Sequence, residues 1–224
     1  MVKMKNNSAV FFDLDKTISS VTTEKLFCQH LMKRRYVSLL EFFRVIYRAV
    51  KADPGTFKDP CITRTQIIRH FLKNKDAHYY RYLYNIFHKN RLKKTIYPQI
   101  YELIADHKQK RRKIYIVSGS VDFIVRRFAG DLGIDAYYST KLEIKDNLFT
   151  GEISGQIHYA QVKAELIKKL SGTKNIDLSK SYAYGDDIVD RYMLELVGNP
   201  VVVNPDPDFK ELAHARSWKI VNWK

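Results

Sequence analysis

The chain has few cysteines and no long apolar run, and these absences exclude several classes of protein. Only Cys28 and Cys61 occur among 224 residues, without a metal-ligand spacing, so we expect reduced packing residues rather than a disulfide framework. No segment approaches the roughly 18 consecutive apolar residues of a membrane-spanning helix. Residues 1–7 are too few and too polar for a signal peptide, and we therefore expect a cytoplasmic protein.

Positive charge is abundant and unevenly distributed. Residues 21–94 contain 17 Lys and Arg against 5 Asp and Glu, so this segment carries +12 of the formal net charge of +15. Arg44, Arg48 and Lys51 fall on one helical face of it, beside large apolar side chains. Two interpretations stay open, a solvated outer face or a surface that attracts an anionic substrate or an anionic membrane. We do not expect nucleic acid as the partner, because no recognised binding motif accompanies the charge.

Two carboxylates follow an apolar run near the N-terminus. Residues 9–12 are all apolar and predict a buried strand, after which come Asp13, Asp15 and Thr17. Strand alternation places Asp13 and Asp15 on the same side, at the sheet edge where open α/β folds bind ligands. Two like charges this close resist ionising together unless a cation such as Mg²⁺ is bound. One carboxylate can then attack phosphorus while the other moves a proton.

Three later segments supply further polar groups. A second apolar run ends at Ser118 and Gly119 before a helical stretch, which favours an anion site at a helix N-terminus. Lys163 lies in the first turn of an amphipathic helical pattern. The segment 185–190 follows a third strand and contains three carboxylates, the ligands that hard cations prefer. A lysine and a divalent ion around an attacking carboxylate are sufficient for phosphoryl transfer.

Together these residues resemble the haloacid dehalogenase superfamily of hydrolases, subfamily IB, and within it the phosphoserine-phosphatase-like branch. Four motifs carry the resemblance: Asp13-Leu-Asp-Lys-Thr17, Ser118-Gly-Ser120, Lys163 and Gly185-Asp-Asp-Ile-Val-Asp190. The resemblance implies a phosphatase that uses Mg²⁺. It also implies that Asp13 is the nucleophile, which takes the phosphoryl group as an aspartyl-phosphate. Asp15 would protonate the leaving group and then activate water.

The remaining site residues receive their roles from the same resemblance. Asp13, the main-chain carbonyl of Asp15, and Asp186 would ligate Mg²⁺. Asp190 would orient the water ligands of the ion. Asp187 is either a second acidic contact to these waters or a residue that faces solvent, and we favour the latter. The phosphoryl oxygens would be bound by Thr17, Ser118, Gly119 and Lys163.

The sequence departs from authentic phosphoserine phosphatases at several positions. Those enzymes carry an acidic residue shortly after the nucleophile to bind the substrate amine, whereas Thr22 and Thr23 occupy that stretch here. Glu24 follows them and is our candidate for a substrate contact. The usual second glycine of the serine motif is Ser120, and the usual asparagine before the last acidic residue is Val189. L-phosphoserine as the substrate therefore does not follow.

Alternating strand and helix patterns predict an α/β fold with a doubly wound, mostly parallel sheet. Alternation around Asp146-Asn147 predicts a small hairpin over residues 142–153. By the resemblance, residues 1–20 and 95–224 form the catalytic Rossmannoid core and residues 21–94 an inserted all-helical cap domain. Strands are expected at residues 9–14, 113–117, 136–139, 181–184, 200–203 and 219–221.

Three functions from different classes remain. The first is a Mg²⁺-dependent phosphomonoester hydrolase acting on a small phosphorylated metabolite. The second is the same chemistry on a phospholipid head group or another large anion, with the protein peripheral to the membrane. The third is a non-catalytic protein that binds an anion or nucleic acid, which is disfavoured because each catalytic position holds the expected residue type. Neither the leaving group nor the oligomeric state follows from the sequence.

Overall fold

The structure, a computed structural model, describes residues 7–38 and 60–224 together with residues 40, 41, 43, 44, 47 and 51. Its strands are β1 (Ala9–Phe12), β2 (Lys113–Val121), β3 (Ala136–Lys145), β4 (Leu148–Ser154), β5 (Tyr182–Gly185), β6 (Asn199–Val203) and β7 (Lys219–Val221). Its helices are α1 (Thr23–Lys33), α2 (Pro60–Leu72), α3 (Ala77–Asn90), α4 (Pro98–Gln109), α5 (Asp122–Leu132), α6 (Gln161–Lys174), α7 (Arg191–Leu194) and α8 (Pro207–Ala215). Three 3₁₀ turns are Leu92–Thr95, Leu178–Lys180 and Ile188–Asp190.

The seven strands form one sheet in the order β4-β3-β2-β1-β5-β6-β7. Every neighbouring pair is parallel except β3 and β4, which form an antiparallel hairpin. The turn of this hairpin is Asp146-Asn147, both with positive φ, as the sequence predicts. The chain builds outward from β1 first on one side and then on the other, so β1 lies at the topological switch point. The doubly wound α/β prediction is confirmed.

Apolar residues of β1 alternate between two hydrophobic cores, one on each face of the sheet. Val10 and Phe12 pack in the core that is covered by α4, α5 and apolar residues between positions 21 and 94. Ala9 and Phe11 pack in the core that is covered by α6, α7 and α8. All four side chains are fully buried. Because both faces are covered, β1 is a continuous apolar run rather than an alternating one.

Residues 21–94 leave the sheet domain and return to it at adjacent points. The N–H of Ser20 donates to the carbonyl of Thr95 at 2.7 Å, and the hydroxyls of Ser19 and Thr95 lie 2.7 Å apart. The N–H of Tyr97 donates to the carbonyl of Ile18 at 3.1 Å. These contacts support the boundaries at residues 20 and 95, and the division into core and cap stays a prediction. We call residues 21–94 the insert.

The insert packs against the β3–β4 hairpin and α5. The N–H of Asn74 donates to the carbonyl of Phe149 at 2.8 Å, and the N–H of Phe149 donates to the carbonyl of Lys75 at 3.1 Å. Phe27 of α1 and Phe123 of α5 make an edge-to-face contact with ring centroids 6.2 Å apart. One apolar core therefore runs from the sheet into the insert.

Three predictions from the sequence concern the cysteines, the basic residues of the insert and membrane-spanning helices. Cys28 is buried without a disulfide, and burial, followed by the charge of Glu24, raises the pKa of its thiol to about 12. Arg44 and Lys51 are exposed, whereas Arg48 and the side chain of Cys61 lie outside the described residues. Across the part of the chain that the structure describes, no helix has both the length and the apolarity needed to cross a bilayer.

A buried histidine links α4 to β5. An N–H of Arg112 lies 3.0 Å from His107 Nδ1, and because a guanidinium can only donate, Nδ1 is the acceptor. His107 Nε2 therefore carries the proton and donates to the Tyr184 hydroxyl at 3.0 Å. Burial, and then the charge of Arg112, lowers the pKa of His107 to about 4.

We expect the free energy of unfolding to fall as the pH drops from 6.5 toward about 4, because the folded pKa of His107 is depressed. The unfolded histidine takes up a proton in this range while the folded one does not, which corresponds to about 3 kcal/mol at most. Urea unfolding at several pH values measures the slope. His107→Gln should reduce it, and His78→Gln, at an exposed position, should not. Equal slopes for both variants and the parent would contradict the lowered pKa of His107.

Candidate active site

The loop after β1 places two predicted site residues at the carboxyl edge of the sheet. The N–H of Asp13 donates to the carbonyl of Tyr184 at 3.0 Å, which continues the pairing with β5 by one residue. The chain then turns sharply, because the N–H of Ile18 donates to the carbonyl of Leu14 at 2.9 Å. Asp13 and Asp15 are buried here, both on the wall of one cavity of about 270 Å³.

Lys163 connects two carboxylates inside this cavity. Its Nζ donates to Asp13 Oδ1 at 2.6 Å and to Asp190 Oδ1 at 2.7 Å, and its side chain is almost fully buried. Burial alone would lower the pKa of Lys163, but the charges of Asp13 and then Asp190 outweigh it and raise the pKa above its usual value. A buried ion pair of this kind is retained only when its polar atoms find partners. Lys163 is therefore a fixed positive charge beside Asp13.

Asp190 is anchored to the loop that carries it. Its Oδ2 accepts the N–H groups of Asp186 at 3.2 Å and Asp187 at 3.4 Å, while Oδ1 accepts Lys163. The carboxylate lies so close to Gly185 that a Cβ there would be 2.6 Å from Asp190 Oδ2. Glycine is thus required at this position by the space that Asp190 occupies. Through these hydrogen bonds, Asp190 orients the loop that follows β5 and the ammonium group of Lys163.

Three carboxylates converge in a way that suits a divalent cation. Oxygens of Asp13, Asp186 and Asp190 all lie within 4.8 Å of one another. Burial, and then the charges of Asp190 and Asp13, raises the pKa of Asp186 to about 9. A bound cation would offset this repulsion and let Asp186 ionise at neutral pH. The donor set is all oxygen, which matches a hard metal ion.

Thr17 lies behind Asp186 rather than on the cavity wall. It is fully buried, and its hydroxyl donates to Asp186 Oδ1 at 3.0 Å. This placement differs from the expected phosphate contact, because the hydroxyl already has a carboxylate acceptor. Thr17 instead supports one of the three carboxylates that could hold a metal ion.

Ser118 and Gly119 lie within β2, which continues four residues beyond its predicted end at residue 117. The pairing of β2 with β3 shifts register between Val117 and Val121, and such irregularities re-aim side chains at strand ends. Ser118 lines the cavity, and the carbonyl of Gly119 accepts the hydroxyl of Thr140 at 2.7 Å. The peptide next to the cavity is therefore fixed from the β3 side.

Glu24 does not line the cavity. Its carboxylate accepts the N–H of Val121 at 2.9 Å at the start of α5, and the side chain is buried. Thr22, two residues earlier, does line the cavity and makes no side-chain capping bond to α1. A substrate contact at Glu24 stays a prediction, and Thr22 is the residue of this stretch that lines the cavity. Its position next to a predicted helix start is the only signal that the sequence offered.

Asp187 is exposed and also lines the cavity. Its side chain accepts the N–H of Val189 at 3.2 Å and caps the 3₁₀ turn Ile188–Asp190. Tyr159 also lines the cavity, in front of the helix that carries Lys163. Sequence reasoning missed Tyr159, because a tyrosine before an amphipathic helix is ordinary.

The chain is similar to known proteins over most of its length. Residues 10–195 match a profile described as haloacid dehalogenase-like hydrolase, which is most of the chain. A probable phosphatase of Mycobacterium tuberculosis is 30% identical over 221 residues, covering 96% of this chain and 75% of that protein. A protein of Streptomyces azureus named for inhibition of morphological differentiation is 32% identical over 223 residues, covering 96% and 78%. The similarity therefore includes the insert.

Solved structures share the fold at low sequence identity. A protein of unknown function from Bordetella pertussis has a TM-score of 0.81 at 18% identity, with 96% of this chain and 98% of that chain covered. A phospho-aspartyl intermediate analogue of phosphoserine phosphatase has a TM-score of 0.66 at 21% identity, with 96% and 93% covered. At these identities the likeness establishes the fold alone.

The close approach of Gly185 and Asp190 generates a stability prediction. We expect Gly185→Ala to lower the free energy of unfolding by about 1–3 kcal/mol, because the added methyl group must displace a buried carboxylate. Urea denaturation gives the value. Gly172→Ala is the matched control: no atom lies within 4 Å of a Cβ at that helical position, so alanine there should be neutral or stabilising. Equal stability of the Gly185→Ala variant and the parent would contradict the packing described here.

Proposed function

The chain belongs to the haloacid dehalogenase-like hydrolase family and is a phosphatase, and we propose that it hydrolyses phosphate monoesters of small metabolites through a phosphoryl group carried on Asp13. The observation that carries the proposal is the buried ammonium group of Lys163 held 2.6 Å from Asp13, beside two further carboxylates. The solved phospho-aspartyl analogue of a phosphoserine phosphatase with the same fold supports the same intermediate.

The proposed reaction has two steps, each with one proton transfer. Asp13 attacks phosphorus, the bond to the leaving oxygen breaks, and that oxygen takes a proton from Asp15. Water then attacks the phosphoryl group, Asp15 accepts the proton, and the bond to Asp13 breaks to release inorganic phosphate. Lys163 and the hydroxyl of Ser118 would hold the phosphoryl oxygens. Asp15 and Asp13 share one cavity wall, which suits both transfers.

We propose Mg²⁺ as the cofactor, held by Asp13, the main-chain carbonyl of Asp15, and Asp186. The raised pKa of Asp186 fits this assignment, because three clustered carboxylates need a cation to stay ionised together. Bound Mg²⁺ would neutralise charge on the phosphoryl oxygens. Asp190 would keep Lys163 in place beside the ion.

The cavity supports a small substrate. Its volume of about 270 Å³ lies just below the range of about 300–1,000 Å³ that is typical of ligand sites. If residues 21–94 are the cap domain, they contribute Thr22 to the cavity wall. The leaving group would then contact the hydroxyl of Thr22 and the neighbouring phenol of Tyr159.

We expect the purified protein to hydrolyse p-nitrophenyl phosphate in the presence of Mg²⁺ and to lose this activity by roughly 100-fold or more in EDTA, because the clustered carboxylates repel a phosphate dianion without a cation. Release of p-nitrophenolate measures the rate, and added Mg²⁺ should restore it. Full activity after exhaustive chelation would contradict the metal assignment.

Asp13→Asn tests the role of Asp13 as the nucleophile. An amide of the same shape cannot attack phosphorus, so this variant should fold but show no turnover. Beryllium fluoride with Mg²⁺, which mimics an aspartyl-phosphate, should raise the melting temperature of the parent and not of this variant. Asp208→Asn, at an exposed position of α8, should behave as the parent does.

A second candidate is the same chemistry on a phospholipid head group, and an exposed surface on the insert favours it. Tyr79, Tyr82 and Ile86 recur on one face of α3 and are 47%, 60% and 42% exposed. The insert that carries them has a charge of +12. Aromatic and aliphatic side chains beside Lys and Arg are typical of surfaces that bind anionic lipids.

For the lipid candidate we expect the protein to sediment with vesicles of anionic phospholipid. The double variant Tyr82→Ser, Ile86→Ser should bind roughly 10-fold more weakly, because it removes apolar side chains that would enter the interface. Tyr101→Ser on α4 is the matched control, since Tyr101 is 46% exposed but lies outside the insert. If the parent protein stays in the supernatant, the phospholipid candidate is excluded and the small-metabolite function remains.

A further inference from the structure

Hydrogen bonds hold both carboxylate oxygens of Asp15. Oδ1 accepts the N–H of Thr23 at 2.9 Å and its hydroxyl at 2.7 Å, whereas Oδ2 accepts the hydroxyl of Ser120 at 3.0 Å. All three residues are buried. The terminal torsion of an aspartate is broad when unrestrained, so donors on both oxygens are what fix the plane of this carboxylate.

We propose that Ser120, together with Thr23, is a positioning residue that aims Asp15 at the leaving oxygen of the substrate. The inference rests on the proposed function, in which Asp15 transfers the proton. Ser120 also contacts a proposed phosphate ligand, because its N–H donates to Ser118 Oγ at 3.2 Å. One residue is therefore hydrogen-bonded both to the proposed proton donor and to a proposed phosphate ligand.

The second half of this arrangement belongs to the insert. Thr23 begins α1, and the next residue, Glu24, accepts the N–H of Val121 at 2.9 Å. Thr23 is therefore bonded to Asp15, and Glu24, the next residue of α1, is bonded to Val121, which directly follows Ser120. Because Glu24 ties α1 to the end of β2, Thr23 and Ser120 are kept on opposite sides of the same carboxylate.

The test compares two substrates that differ in their need for a proton. p-Nitrophenolate leaves readily without protonation, whereas the alkoxide of glycerol phosphate does not. We expect Ser120→Ala to lower kcat/KM for glycerol phosphate by about 10-fold or more and for p-nitrophenyl phosphate by less than about 3-fold. Stabilisation by beryllium fluoride with Mg²⁺ depends on Asp13 and should be unchanged in this variant.

Two further variants separate positioning from general damage. Ser120→Thr keeps the hydroxyl and should restore the parental ratio of the two kcat/KM values. Ser181→Ala removes another buried serine hydroxyl, which accepts the N–H of Ala9 at 2.9 Å at the opposite edge of the sheet. It should lower stability in urea and leave the ratio unchanged.

The outcomes distinguish this inference from the function beneath it. If Ser120→Ala and the parent give the same ratio, the positioning role is overturned and the phosphatase mechanism stands. If the parent hydrolyses neither ester, both are overturned. If Ser120→Thr fails to fold, the comparison of Ser120→Ala with Ser181→Ala decides, because an equal ratio in those two variants counts against the proposal.

Discussion

The ammonium group of Lys163 joins chain segments that are otherwise far apart in sequence. Asp13 follows β1, Asp190 follows β5, and Lys163 stands in the first turn of α6, yet Nζ lies within 2.7 Å of both carboxylates. Removing one partner from such a buried pair typically costs about 3–5 kcal/mol, because a charge is left without compensation. The same ammonium group is the one that the proposed chemistry needs beside the phosphoryl group. Stability and function therefore make the same demand on this residue.

The order of strands explains why the other polar groups meet. β2, β1 and β5 are adjacent and parallel, so their carboxyl ends share one edge. Ser118 lies near the end of β2, Asp13 follows β1 and Asp186 follows β5. The loops that follow β1 and β5 supply hydrogen-bond donors to the carboxylate cluster at this edge.

The positions of the strands and of the motif residues were predictable from the apolar runs, although the first strand ends at Phe12 and not at residue 14. The parts that the sequence could not give depend on tertiary partners. Thr17 and Glu24 were predicted to contact phosphate and substrate, yet each is buried and hydrogen-bonded to a protein group, Asp186 and the N–H of Val121. Likewise β2 extends to Val121 because it pairs again with β3 after a shift in register, which no local pattern records.

These contacts divide the site into two halves with different dependence on the insert. The charged half, Lys163 with Asp13 and Asp190, is held by segments that follow β1 and β5 and by the first turn of α6. The half around Asp15 is held by Ser120 from β2 and by Thr23 from α1, the first helix of the insert. A shift of α1 would therefore disturb the orientation of Asp15 while leaving the ion pairs of Lys163 intact. In the proposed mechanism, such a shift would act on proton transfer by Asp15 rather than on the attack of Asp13 at phosphorus.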